Sequence, residues 1–91
     1  MTVLIDEPRW WFKDRLWSHL VSDCSLDELH AFAEQVGIPR RGFHGDHYDV
    51  PQEYHATAVA HGAQPAPARD IVRLLRAAGL RLTAAERRMS S

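Results

Sequence analysis

The chain opens on a β-branched apolar run, Thr2-Val3-Leu4-Ile5, that stops at Asp6. This predicts a buried strand closing on a polar residue. Residues 7–13 carry Pro8, Trp10, Trp11 and Phe12 without a clear period, and predict an irregular loop anchored by aromatics. From 17 to 21 the pattern alternates. A short strand there would place Trp17, His19 and Val21 on one face and Ser18 and Leu20 on the other.

The period then changes. Ser25-Leu26-Asp27-Glu28 is a capping box, in which serine accepts from the N3 amide and glutamate reaches back. It predicts a helix over 26–36 with Leu26, Leu29, Ala33 and Val36 as its apolar stripe and Gly37 as its stop. Residues 38–41 lead into an extended segment at 42–44. Asp49-Val50-Pro51-Gln52 repeats the capping-box pattern with proline in the first turn, predicting a helix over 50–61 ended by Gly62. Residues 63–67 read as an extended segment or short strand. A third helix is expected over 68–78, with Ile71, Leu74, Leu75 and Ala78 inward. Gly79 would end it and Leu80 would supply the hydrophobic contact after the cap. Residues 83–88 add at most a turn of helix.

Strands alternating with helices predict an α/β fold: a small three- to four-stranded parallel or mixed sheet packed with about three helices. Ninety-one residues suffice for one core. We expect a single domain over 1–82 and a C-terminal tail, short helix or frayed, over 83–91. A chain of this size buries roughly 60–65% of its unfolded surface, so modest stability and a homodimer are expected. No apolar run approaches the length of a bilayer span, and the N-terminus does not read as a signal peptide. No membrane partner is expected. The single cysteine, Cys24, fits a reducing, cytoplasmic compartment. Eleven basic and twelve acidic residues give a net charge of −1, so nucleic-acid binding would need a local patch.

The chemistry concentrates in His44-Gly45-Asp46-His47-Tyr48-Asp49. His47 and Asp49 are two apart, so an extended backbone puts both on one face, where they could ligate one divalent metal. Asp49 also fits the role of N-cap, which explains an aspartate there without any chemistry. For His47 a structural and a functional role are both open. His19 and Asp23 flank the end of the 17–21 strand, just before a helix N-terminus, where ligands gather in α/β sheets. His19 could equally be a half-buried histidine, and Asp23 could simply complement the helix dipole. His30 falls between Leu26 and Ala33 on the helical wheel. It is either a core histidine bonded to a carbonyl or a ligand beside His19 and His47. Together His19, His30, His47 and Asp49 would match a histidine-rich metal site with an open position. No H-E-x-x-H or cysteine pair supports it. His44, His55 and His61 look like surface residues. Cys24 precedes a helix N-terminus but lacks partners for a nucleophile's role. Arg69, Arg73 and Arg76 share one helix face, which is either a phosphate grip or a solvated surface.

Three segments, Trp17 to Asp23, Asp27 to Ala33 and Asp46 to Pro51, together resemble a family of short bacterial and phage proteins of unknown function with a His-Tyr-Asp motif. The resemblance spans nearly the whole chain. It implies that His19, Asp23, His30, His47, Tyr48 and Asp49 form one pattern. It also implies that the Cys24 position is usually threonine. It implies no activity.

The leading expectation is a metal-assisted, hydrolase-like enzyme acting on a phosphorylated or nucleic-acid-related substrate, with a small molecule or a phosphorylated compound as its partner. His19, His47 and Asp49 are its ligands or acid/base groups and His30 stands with or behind them. Asp23 and Tyr48 are further catalytic candidates, and Tyr48 and Arg9 orient the substrate. The rival is a non-enzymatic module that binds nucleotide, nucleic acid or protein through the tryptophans and the Arg69/Arg73/Arg76 face. In a third reading the histidines are only cap and core residues.

Overall fold

A computed structural model of the chain describes residues 2–77. The elements run β1 (Val3–Ile5), β2 (Trp10–Phe12), β3 (Arg15–Ser22), α1 (Leu26–Val36), a 3-10 turn (Arg40–Gly42), β4 (Tyr48–Pro51), a second 3-10 turn (Gln52–Tyr54), α2 (His55–Ala60), β5 (Gln64–Pro65) and α3 (Ala68–Ala77). The fold is α/β, with a mixed five-stranded sheet and three α-helices.

Strand β3 organises the sheet. It pairs antiparallel with β1 through Val3↔Ser22 to Ile5↔Leu20, and with β2 through Trp10↔Trp17 to Phe12↔Arg15. It also pairs antiparallel with β4 through Trp17↔Pro51 to Leu20↔Tyr48. Trp17 and Leu20 are each paired on both sides. So β1 and β2 lie end to end along one edge of β3, and β4 runs along the other. Strand β5 adds parallel to the outside of β1.

Alternation splits the apolar residues between two faces. Ile5, Leu20, Tyr48 and Val50 meet Leu29, Ala33 and Val36 of α1 and Ala58 of α2 in the larger core. Leu4 and Val21 point the other way and meet Ile71 and Leu75 of α3 in a smaller one. Helix α1 has the bounds its sequence predicts. The Ser25 hydroxyl accepts from the Glu28 amide, and Gly37 closes the helix at φ 91°, a left-handed angle that glycine adopts without a Cβ clash. No helix among the described residues is long and apolar enough to cross a membrane.

Three segments differ from expectation. Residues 10–12 form a strand because the chain turns tightly at Lys13 and Asp14, both at positive φ (51° and 60°). Such a turn normally announces itself by Asn-Gly or Asp-Gly, and Lys-Asp gives no such sign. The helix expected over 50–61 shrinks to six residues starting at His55. Residues 48–51 are instead a strand, because pairing with β3 buries Val50 and Tyr48 completely or nearly so. Asp49 is therefore not a helix cap, and the structural explanation for that aspartate lapses. The extended segment at 42–44 reduces to one bridge, Phe43↔Tyr48. The stop at Gly79 and Leu80 and the turn over 83–88 lie outside the described residues.

Candidate metal centre

Strand β3 lays Arg15, Trp17, His19 and Val21 along one face by simple alternation. Val21 lies beneath α3. His19 is the next residue along that face, and Asp49 on β4 stands directly opposite it. His47, two residues before Asp49, projects to the same side. One ligand atom from each of His19, His47 and Asp49 lies within 4.8 Å of the others. Their side chains are 36%, 18% and 26% exposed, covered enough to be held and open enough to be reached.

Two buried aspartates fix the imidazoles. Asp6 accepts the His19 backbone amide at 2.6 Å through Oδ1, and its Oδ2 lies 2.7 Å from His19 Nδ1. Asp46 Oδ1 lies 2.7 Å from His47 Nδ1. Both carboxylates are buried, at 5% and 2% exposure. An ionised carboxylate only accepts, so each Nδ1 carries the hydrogen. That leaves Nε2 of both rings as the coordinating atom. A carboxylate behind each ligating histidine is the usual support of a metal site, orienting the ring and raising its basicity.

The backbone places these aspartates for local reasons. Asp6 directly follows β1, and its amide still donates to the His19 carbonyl, so it stays beside the histidine it holds. Asp46 sits in the turn 44–47. There the His44 amide donates to the His47 carbonyl, and Gly45 takes a φ of 78°.

One distance within the set suits a shared small cation. His47 Nε2 lies 3.2 Å from Asp49 Oδ1. Donor atoms about 2.0–2.1 Å from one ion are roughly 3.0–3.4 Å apart in octahedral or tetrahedral geometry. Two imidazoles and one carboxylate with open positions are donors that zinc, manganese and ferrous iron all accept. The second Asp49 oxygen is 3.2 Å from His44 Nε2. The Trp10 ring stacks on His19 with centroids 4.3 Å apart. A cavity of about 130 Å3 between the triad and α3 is lined by His19, Val21, His47, Ala68, Ile71 and Val72. On the other side a cleft of about 470 Å3 begins at Asp49 and His44 and reaches Trp10 and Trp17.

The other expected site residues lie elsewhere. His30 does not join the ligand set. Its Nδ1 pairs with the Tyr48 hydroxyl at 2.7 Å and its ring meets Phe43 edge-on, on the α1 side of the sheet. Tyr48 belongs to the larger core, and burial raises its hydroxyl above the ordinary tyrosine pKa. Asp23 laces the N-terminal strand to the end of β3, accepting from the Thr2 amide and donating its own amide to the Thr2 carbonyl. Arg9 is exposed and pairs with Glu7. Cys24 is exposed. Arg69, Arg73 and Arg76 are exposed, and Arg73 pairs with Asp70. His44, expected to be a bystander, contacts Asp49. Asp6, Asp46 and Trp10 are contributors that the sequence reading passed over. Asp6 at the end of a strand was the one visible hint.

Fold and site define a small α/β protein with a two-histidine, one-carboxylate cluster on the sheet face that carries α3. The chain belongs to the family described as Protein of unknown function (DUF4031), whose model matches residues 3–78. No curated protein and no solved structure matches it.

Proposed function

We propose that the protein is a divalent-metal-dependent hydrolase acting on a phosphorylated or nucleic-acid-related substrate in the cytoplasm, with His19, His47 and Asp49 as the metal ligands. The observation that carries this reading is the pair of buried carboxylates, Asp6 and Asp46, each beside the Nδ1 of a histidine that clusters with Asp49. Burying two carboxylates is costly without partners, and holding imidazoles in one orientation is what a ligand set requires.

A divalent ion in such a site polarises a phosphoryl oxygen and lowers the pKa of a water. The residues of the chain supply the rest. Asp6 and Asp46 hold the imidazoles in place before substrate arrives. His44 borders the cleft; its Nε2, 3.2 Å from the second Asp49 oxygen, would carry the hydrogen, so its Nδ1 is the nitrogen that would receive the proton of the attacking water and return it to the leaving oxygen. Water adds to phosphorus, the phosphorus–oxygen bond of the leaving group breaks, and that proton ends on the departing oxygen.

The binding-module rival draws less support. The α3 arginines do not line the cleft that the tryptophans line.

The test is thermal unfolding of metal-stripped protein with zinc, manganese or ferrous iron added, alongside hydrolysis of a chromogenic phosphodiester. At least one ion should raise Tm by several degrees, as expected of a ligand that binds only the native state. His47→Ala should lose both that shift and turnover. If no ion shifts wild-type Tm, the reading is wrong.

A further inference from the structure

We infer that the cleft next to the triad is a nucleotide subsite, which stacks a base on the aromatic face of the β2–β3 hairpin and draws the attached phosphate toward Arg41. This deepens the hydrolase reading and rests on it for the fate of the ligand, though not for its binding.

The hairpin is built as a stacking platform. Trp10 and Trp17 are cross-strand partners, and Phe12 lies two residues beyond Trp10 on the same side. Trp17 is locked, its indole N–H donating to the Phe12 carbonyl at 2.7 Å. The Phe12 ring lies 6.5 Å from the Trp17 ring and remains 55% exposed. A large apolar ring left in water beside a cleft is available for a ligand's flat face. Pro39, Pro51 and Tyr54 complete its lining.

Charge favours an anion. The cleft is lined by Lys13, Arg15 and Arg41 against Asp49 and Glu53. Arg15 and Glu53 neutralise each other in an ion pair. Asp49 lies between His44 and His47. Lys13, whose Nζ lies 5.5 Å from the Phe12 ring centroid, makes no ion pair among the described residues, and Arg41 makes none either. Two uncompensated cations beside a row of aromatic rings form the local patch that a chain of net charge −1 needs to hold a nucleotide. A proline-rich peptide, the other usual occupant of an aromatic groove, has no use for those cations. At about 470 Å3 the cleft falls within the range of small-molecule sites. His44 and Asp49 line it too, so a phosphate held there lies beside the triad.

Base and phosphate could belong to a free mononucleotide or to the end of a single strand. The experiment therefore measures fluorescence anisotropy of a labelled eight-residue oligothymidylate, with unlabelled thymidine monophosphate and a proline-rich decapeptide as competitors, in metal-free buffer containing chelator. Saturable binding is expected. It should weaken about tenfold or more in Arg41→Glu and in Phe12→Ala, two exposed positions that leave the fold intact, and its salt slope should fall by about one in Arg41→Glu. Arg73→Glu, on α3 and outside the cleft lining, should bind as wild type, and because the buffer holds no metal, failure of the metal reading leaves this inference standing. Monophosphate competing as well as unlabelled oligomer identifies a free nucleotide, and a clearly better oligomer identifies a strand end. No binding, binding indifferent to both substitutions, or displacement by the peptide alone overturns the proposal.

Discussion

Asp6 and Asp46 stand behind the two imidazoles of the proposed ion site. Each lies 2.7 Å from the Nδ1 of one histidine and so bears on where its Nε2 points. Asp46→Asn keeps the size of the side chain and removes its charge. It should weaken metal binding by about 10–100-fold, measured by competition with a chromogenic chelator on protein shown by circular dichroism to be folded. An unchanged affinity would mean that the turn, not the carboxylate, orients His47. At this scale the sequence is informative where spacing is local. His47 and Asp49 share a face because they are two apart. The pairing of Asp6 with His19 spans 13 residues and depends on an irregular stretch between β1 and β2, so no pattern in the chain discloses it.

The elements are also tied by a histidine–tyrosine pair away from the triad. His30 on α1 and Tyr48 on β4 pair beneath Phe43. Tyr48→Phe leaves His30 Nδ1 without this partner. It should cost about 1–2 kcal/mol in urea unfolding at pH 7 while the metal-induced Tm shift stays as in wild type. The pH dependence has a defined sign. The Tyr48 hydroxyl is raised by burial above its ordinary value, so its contribution is intact below about pH 10 and is lost as pH climbs through the higher native pKa. The phenylalanine variant should therefore lack that part of the alkaline decline. Elements with self-contained signals were legible, and α1, with its capping box and terminal glycine, is the clearest case. Where a signal had a tertiary competitor the competitor prevailed. The Asp49–Gln52 capping pattern became a strand because β3 offers pairing and burial that a solvent-facing first turn would forgo. Strand β2 was missed because its turn uses Lys13 and Asp14 at angles that neither residue advertises.

The whole molecule has two unequal cores, and the candidate site lies over the smaller. Four buried residues, Leu4, Val21, Ile71 and Leu75, hold α3 to the sheet, and the same helix walls the cavity beside His19 and His47. Leu75→Ala should destabilise this attachment by about 2–4 kcal/mol. Hydrogen exchange should show α3 amides losing protection well before those of α1, with metal restoring part of it. Equal loss across both helices would indicate a single cooperative unit instead.

The pairing of His19 with Asp49 has one more consequence, for how the chain reaches its native state. A slip of one residue between β3 and β4 sends alternate side chains to opposite faces. The three donors then cannot meet, so a misaligned chain has no site at all rather than a poorer one. An ion present during folding would draw the population toward the correctly aligned ladder alone. The cation would thus act as a proofreader of strand alignment before it takes part in any chemistry.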